Sequence, residues 1–382
     1  MNRFLQQLSR EFSTLIHDWG ILLTIFGGLL FYAVLYPQPY LNNVPEEQTV
    51  AIVDLDDSSA SRRLARWIDA TSGARVMRRP HSVEEAKDLL MLQQVKGLIV
   101  IPANFMKDSL LGKSPVIGMA GDANYFLVYG ALIEGAMGAV MTSAATLRVG
   151  TMVLAGAPMK TAPEHWLPIR LNARPLFNDS IGYLQYVIPA VFVVLLHQTL
   201  VLGSGLLGAG FNQRLSSGEE KAAGQSALII LAARFSLMFT IYLVMALLYM
   251  GICFEYYGIT RNAGIGDLWL MILAFTAATS ALGLLFGTLL PRTELAAPLV
   301  MVSSLPLVFS AGFVWPVESI PRSITLLSEL APTTSAIQGF LMLNQMGATF
   351  PEIFTRWLWL LFLCLLFSTS AWLVLRKRLA TA

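Results

Sequence analysis

The chain has 382 residues, of which 55% are hydrophobic and only 13% are charged. Soluble domains carry about 25% charged residues, so this composition excludes a soluble globular protein and indicates an integral membrane protein. The net charge of +2 is too small to indicate a nucleic-acid partner. The two cysteines, Cys253 and Cys364, have neither metal-site spacing nor the pattern of a disulfide framework.

The N-terminal segment, residues 1–19, is amphipathic. Apolar residues recur at helical spacing over 2–17, with charged and amide side chains on the other face. This pattern favours a cytoplasmic helix lying in the membrane interface, and a frayed terminus is the alternative. Residues 20–36 then predict the first transmembrane helix, bracketed by the interfacial aromatics Trp19 and Tyr36.

Residues 37–180 hold most of the charged side chains and alternate between strand and helix patterns. Apolar β-branched runs predict strands at 50–56, 74–80, 96–102 and 114–122. Serine caps help to predict helices at 58–70 and 82–94, and a short helix is predicted at 105–112. Ser82 and Glu85 have the spacing of a capping box. Alternation of this kind predicts an α/β domain with a largely parallel sheet.

Residues 126–159 have two interpretations. The segment is apolar enough to be a further span, which would move every later loop to the opposite side of the membrane. Glu134 and Arg148 lie within it, however, and charges at membrane depth are costly. We therefore predict a long helix of the α/β domain, followed by an extended return to the membrane at 166–178.

Residues 181–382 predict a transmembrane domain with five more helices, at 183–210, 227–250, 268–290, 295–314 and 353–375. The stretch 308–340 cannot be one straight helix, because Pro316, Pro321 and Pro332 each remove a backbone donor. A broken segment at membrane depth needs protein or a water-filled cavity around it. The predicted fold is thus an α-helical polytopic membrane protein with six transmembrane helices, an inserted extracytoplasmic α/β domain, and a re-entrant helical hairpin at 316–345 before the last helix.

Basic residues in the short loops predict the orientation. With a cytoplasmic N-terminus, eight lie inside: Arg3, Arg10, Arg214, Lys221, Arg292, Arg376, Lys377 and Arg378. Only three, Arg261, Arg322 and Arg356, lie in short segments outside. Both termini are therefore predicted in the cytoplasm and the α/β domain outside it.

Few residues suggest chemistry. The chain has no G-x-x-x-x-G-K-[ST] phosphate loop, so we expect it not to hydrolyse ATP. We also expect no catalytic residues and no bound metal. His197 and Gln198, within a predicted span, suggest either a transport pathway or an interhelical hydrogen bond. The polar loop 211–226 is either a docking site for a soluble partner or a solvated connector.

One segment resembles a known family. Residues 309–334, FSAGFVWPVESIPRSITLLSELAPTT, are similar to the signature of type-2 ABC transporter permeases. The passages VAIVDLDDSSASRRLARWI, KGLIVIPANFMKDSLLG and RPLFNDSIGYLQYVIPAV resemble the subfamily with a large external domain after its first helix. The resemblance covers nearly the whole chain.

The resemblance implies partners and roles. Two permease subunits, identical or related, would pair among the membrane lipids, and each would dock a cytosolic ABC subunit that binds ATP and Mg²⁺. Residues 2–17 and 211–226 would contact that ATPase, with these coupling residues: Arg10, Arg214, Glu219, Glu220 and Lys221. Many relatives carry an E-R-E-x-G-T-like run there, which this chain lacks. The broken helices would form an exit gate, with these residues: Phe309, Gly312, Pro316, Pro321, Pro332 and Thr333.

The predicted function is therefore the membrane subunit of an ATP-driven exporter in a bacterial inner membrane. It would move a hydrophobic or amphipathic compound outward. Its large domain would lie in the periplasm, where a periplasmic adaptor is a further candidate partner. One alternative is an ATP-independent receptor or anchor with an external ligand-binding domain. Another is an ion-coupled secondary transporter, which would need paired intramembrane acids that the spans almost lack.

Overall fold

The computed structural model describes residues 2–41, 45–161, 176–178, 182–220 and 225–381. The chain divides into two compact units. The helical unit consists of residues 1–41 and 176–382, and the sheet unit of residues 42–175. Most of the predicted extended return at 166–178 lies outside the described residues.

The helical unit begins with helix α1 (Asn2–His17), and its described residues include six helices that are long and apolar enough to cross a membrane. These are α2 (Trp19–Tyr40), α7 (Val187–Ser216), α8 (Ala227–Tyr256), α9 (Ile265–Leu289), α10 (Thr293–Ser310) and α13 (Phe350–Thr381). Two shorter helices, α11 (Arg322–Ser328) and α12 (Pro332–Asn344), lie between α10 and α13. Each predicted span overlaps one of the six long helices.

The sheet unit contains β1 (Gln48–Asp54), β2 (Ala74–Arg78), β3 (Gly97–Ile101) and β4 (Gly118–Gly121). Its helices are α3 (Ser59–Asp69), α4 (Val83–Met91), α5 (Phe105–Leu110) and α6 (Phe126–Leu154). The strand order is β2-β1-β3-β4; β1 is parallel to β2 and β3, whereas β4 is antiparallel to β3. The sheet is thus mixed, whereas the sequence predicted a largely parallel one. The direction of β4 was not predictable, because hydrophobic patterning does not fix the direction of a short edge strand.

Both faces of the sheet are covered. Val50 and Ile52 of β1 pack with α3 and α6, while the alternating residues Ala51 and Val53 pack toward α4. Ser82 caps α4 by accepting from the Glu85 N–H at 3.1 Å. The four predicted strands and the three predicted short helices of this region are all present, with bounds that differ by a few residues.

Helix α6 raises the number of candidate membrane spans among the described residues to seven. Its first half packs on the sheet through Leu132, Ala136 and Ala139. The contact is close: a Cβ added to Gly73 would lie 2.3 Å from the Ala131 carbonyl oxygen. Length and composition therefore allow six or seven crossings, and the packing of α6 on the sheet favours six.

Two hydrogen bonds join α2 to the C-terminal end of α8, close to a π-helical segment in each helix. Each helix contains a π-helical segment, at Leu23–Gly28 in α2 and at Leu248–Cys253 in α8. The hydroxyl of Tyr249 donates to the Leu29 carbonyl at 2.7 Å, and that of Tyr257 to the Ala33 carbonyl at 2.9 Å. Both hydroxyls bond to backbone oxygens of α2, so the two helices are held in one register.

Helices α7 and α9 approach at backbone distance. A Cβ on Gly208 would lie 2.5 Å from the Gly287 carbonyl carbon. A Cβ on Gly287 would lie 2.6 Å from the backbone carbonyl oxygen of Ser204. Asn212 then caps the end of α9, since its amide donates to the Gly287 and Leu290 carbonyls at 3.0 and 2.7 Å. Small residues make such close packing of apolar helices possible.

Candidate functional site

The first candidate site begins with α1, which forms the helix predicted from its amphipathic pattern. Leu15 is buried in the core of the helical unit, whereas Leu5, Phe12 and Ile16 are exposed. Glu11 is also buried, at 4% exposure. A buried carboxylate on an amphipathic helix needs a partner, because an unpaired charge away from water is costly.

The partner of Glu11 is Arg234, one of the residues of α8. Arg234 Nε lies 2.9 Å from Glu11 Oε1, and the two side chains are only 4% and 6% exposed. Gln7 donates to the same carboxylate oxygen at 2.8 Å. The Arg234 guanidinium also lies over the Phe211 ring of α7, 4.7 Å from its centroid. This ion pair therefore joins α1, α7 and α8.

A second ion pair joins α1 to the loop that follows α7. Arg10 Nη2 lies 2.7 Å from Glu220 Oε2, and Glu220 also accepts from Gln225 Nε2 at 2.7 Å. The Arg10 side chain is 55% exposed, whereas that of Glu220 is 6% exposed. The Glu220 backbone N–H donates to the Arg214 carbonyl at 3.0 Å. We call the two ion pairs, Arg10–Glu220 and Glu11–Arg234, the coupling junction.

The predicted coupling residues thus separate by exposure. Arg10 and Glu220 bind each other, Arg214 is half-buried at the end of α7, and Glu219 is exposed. Lys221 lies outside the described residues. Glu219 is exposed among the described residues, whereas the carboxylate of Glu220 binds Arg10 and Gln225 of the same chain.

Sequence reasoning missed Glu11 and Arg234. Glu11 belongs to the polar face of the amphipathic pattern over 2–17, and Arg234 lies near the start of the predicted span at 227–250. A signal was present, because a lone arginine in an apolar run needs a counter-charge. What the sequence could not identify was which carboxylate supplies it.

His197 and Gln198 lie in the middle of α7. His197 is buried at 4% exposure. Within the described part of the chain, His197 Nδ1 and Gln198 Nε2 have no hydrogen-bond partner. These atoms make no interhelical hydrogen bond there, and the pathway interpretation stays a prediction.

The predicted exit region is a broken helical segment between α10 and α13. Gly312 turns the chain after α10 with φ +85°, and Pro316 and Pro321 precede the short helices Val317–Ser319 and α11. Pro332 begins α12, and Thr333 beside it is fully buried.

This segment is tied to its neighbours by side-chain hydrogen bonds. Trp359 Nε1 of α13 donates to the Glu329 carbonyl at 2.8 Å, and Thr334 Oγ1 donates to the Ser328 carbonyl at 2.7 Å. A groove of about 620 Å³ opens beside α11, lined by apolar residues that include Phe309, Trp315, Pro321, Ile324 and Leu327. Two of the predicted gate residues, Phe309 and Pro321, therefore line a groove. Gly312 and Pro316 lie in the turns, and Pro332 and Thr333 begin α12.

One comparison with known proteins decides the family. The model of the ABC-2 family transporter protein matches residues 19–373, which run from the start of α2 into α13 and include the whole sheet unit. The chain belongs to the ABC-2 transporter family. No curated protein matches it at a significant level. Membership confirms the resemblance to type-2 ABC permeases. This ABC-2 protein is thus a membrane component of a transporter, and the family implies in general an ATP-binding partner subunit.

Proposed function

We propose that this ABC-2 protein is the permease subunit of an ATP-driven exporter for a hydrophobic or amphipathic compound. The coupling junction is the observation that carries the proposal. An interfacial helix that served only as an anchor would not need two ion pairs, one of them buried, to a loop and to the start of the next span. Such fixation suits a surface that receives force from a soluble partner.

The junction supports a specific route for that force. Glu220 lies in the loop after α7, Arg234 lies in the second turn of α8, and both pair with neighbouring residues of α1. A displacement of α1 by the ATPase would therefore move the ends of α7 and α8 together. The substrate must bind one of the resulting arrangements better than the other for this motion to drive transport.

The exposed side chains at the junction would contact the ATPase. These are Arg10, with half of its side chain in solvent, and Glu219. The cytoplasmic ends of α7, α9 and α13 add a cavity of about 420 Å³, lined by Asn212, Pro291, Arg378 and their neighbours. The two ATP and Mg²⁺ sites would lie entirely on the partner subunits.

The exit would lie at the opposite end, in the groove beside α11. Its apolar lining suits a hydrophobic or amphipathic cargo, and the turn at Gly312 gives the hairpin a defined fold. Helix α10 has most of its apolar side chains exposed, including Met301, Val302 and Leu305. This face supports pairing with a second permease subunit, with lipid covering whatever the partner leaves open.

The location follows from the same proposal. The positive-inside asymmetry supports cytoplasmic termini and a periplasmic sheet unit in a bacterial inner membrane. A periplasmic adaptor could dock only on that unit.

The decisive experiment is isolation of the protein from its native membranes with its partners. We expect an ATP-binding subunit bearing G-x-x-x-x-G-K-[ST] to co-purify, and reversal of the exposed charge in Glu219→Lys to reduce its recovery without changing membrane insertion. Met91→Lys, at an exposed site in the sheet unit, is the matched control. Recovery without such a subunit, with transport that persists after ATP depletion, would exclude the proposal.

A further inference from the structure

The sheet unit contains a cavity of about 680 Å³ between the second half of α6 and the segment that follows α5. One wall is a single face of α6, where Val140, Ser143, Leu147 and Thr151 recur at helical spacing. The other wall comprises residues at the end of α5 and beyond it, including Leu110, Leu111 and Lys113. Pockets for small ligands have volumes of about 300–1,000 Å³, so the cavity has the size of a ligand site.

The charged residues that line the cavity are both cationic, Lys113 and Arg148. Lys113 Nζ lies 3.1 Å from Asp108 Oδ1, but the two side chains are 66% and 30% exposed. Such an exposed ion pair contributes little to stability, and Lys113 can leave Asp108 to bind another anion. The Arg148 guanidinium has no ion pair or hydrogen bond to any described residue. Among the described residues, the lining of the cavity therefore offers two cations and no carboxylate.

The remaining lining is largely apolar. Leu110 and Leu111 are 51% and 63% exposed at the rim, and Val140 and Leu147 are half-buried on the α6 wall. A ligand with an apolar body would remove these side chains from water, at about 25 cal/mol for each Å² that it covers. A small hydrophilic anion would leave them exposed.

We infer that this cavity binds an amphipathic organic anion, a molecule with an apolar chain or ring system and one acidic head group. Arg148 can hold the head group with two parallel N–H donors, and Lys113 adds a second positive charge. The leucines cover the apolar body. The inference concerns binding alone, and it holds whether or not the proposed direction of transport is right.

The test uses the full-length protein in phosphatidylcholine nanodiscs and a diazirine-bearing dodecanoic acid as the probe. Photolabelling of residues 105–117 and 140–151 is mapped by mass spectrometry. It is normalised to labelling of α7, which reports partition of the probe into lipid. We expect enriched labelling of the cavity peptides that dodecanoic acid competes away, while 1-dodecanol and dodecylamine at the same concentration do not.

Two variants and a matched control make the test specific. Arg148→Gln should reduce normalised labelling about tenfold, since it removes a charge-assisted bidentate contact. Lys87→Gln removes an exposed cation from α4, on the opposite face of the sheet, and should leave labelling unchanged. Ala144→Trp places a large side chain in the cavity from an exposed position of α6 and should abolish labelling.

Thermal unfolding of each variant shows whether the sheet unit survives the substitution. Wild-type labelling of Ala144→Trp would overturn the inference, as would equal labelling of Arg148→Gln and wild type. Competition by dodecanol equal to that by dodecanoic acid would show an apolar site that does not select anions, and it would also overturn it. If Arg148→Gln lowers the Tm, the photolabelling of Ala144→Trp decides whether the inference holds.

Discussion

At the scale of single residues, the pairing of Glu11 with Arg234 determines how α1 is attached. The two charges are almost fully removed from water, and Arg234 Nε–H makes no aligned hydrogen bond to a described acceptor. This pair therefore contributes to the attachment of α1 through charge attraction and through the contact of the guanidinium with Phe211. Removing one partner leaves a buried charge alone, which is more harmful than removing both.

Glu11→Gln should accordingly destabilise the helical unit by about 3–5 kcal/mol, the usual effect of breaking a buried ion pair. The double variant Glu11→Leu with Arg234→Met should recover most of that loss. Thermal unfolding in detergent measures both, and Glu219→Gln, at an exposed position, is the control. Equal Tm values for Glu11→Gln and Glu219→Gln would show that the pair is not buried in the protein as it exists in solution.

At the scale of secondary-structure elements, the approach of α7 to α9 depends on glycines. Gly208 and Gly287 face each other, so any side chain must push one backbone away from the other. Gly251 in α8 has no heavy atom within 4 Å of an added Cβ and tolerates one. The sequence alone does not identify α9 as the neighbour of Gly208.

Gly208→Ala and Gly287→Ala should each destabilise the protein by about 1–3 kcal/mol, as overpacking of a tight core does. Gly251→Ala should have no such effect, and replacement of glycine within a helix favours stability slightly. The Tm values of the three variants in one detergent give the comparison. A loss for Gly251→Ala as large as for Gly208→Ala would mean that glycine flexibility, rather than close approach, is what these positions require.

The turn at Gly312 poses a second question about an element. Its φ of +85° disfavours other residues, and a Cβ there would lie 2.5 Å from Val317 Cγ2. Gly347, with φ +68°, has the same backbone preference, but its nearest contact is an ordinary 3.6 Å to Asn262 Cβ. Comparing the same substitution at the two glycines therefore separates the effect of backbone strain from that of steric overlap.

We expect Gly312→Ala to lower the Tm more than Gly347→Ala, because left-handed geometry costs an alanine roughly 1–2 kcal/mol at both sites and only the first adds overlap. Trimming the neighbour in Gly312→Ala with Val317→Ala should bring the loss down to that of Gly347→Ala. Hydrogen exchange of residues 313–330 locates the change. An unchanged exchange rate in Gly312→Ala would show that this turn does not order α11.

At the scale of the whole molecule, the sequence predicted much of the secondary structure because its signals are local. Apolar length predicts the spans, serine caps and alternating strands predict the sheet unit, and the prolines predict the break before α11. The coupling junction joins residues 210 and 223 positions apart in the chain, and nothing in one sequence pairs Arg10 with Glu220 or Glu11 with Arg234. The direction of β4 and the exposure of each coupling residue likewise depend on tertiary packing.

Helix α6 determines the topology of the whole chain, since a crossing there would reverse everything after it. Leu132, Ala136 and Ala139 are already buried against the sheet. Glu134 is exposed on the same half of the helix, and Arg148 lies on the other. A charged residue at the centre of a bilayer costs about 2.5–3.5 kcal/mol by insertion measurements, so these two charges oppose a crossing. We therefore expect residues 91 and 159 on the same, external side.

Single cysteines in a Cys253→Ala, Cys364→Ala background measure this directly. Met91→Cys and Met159→Cys, at sites that are 82% and 77% exposed, should both react in intact cells with a maleimide that cannot cross the membrane. Ser217→Cys, exposed in the loop after α7, should react only after permeabilisation. Labelling of residue 91 without residue 159 would establish α6 as a seventh span. It would also place α1 and the loop after α7 on opposite sides of the membrane, which the two ion pairs of the coupling junction do not allow. Labelling of Ser217→Cys alone in intact cells would instead reverse the orientation of the whole protein, because the two methionine sites would then lie inside.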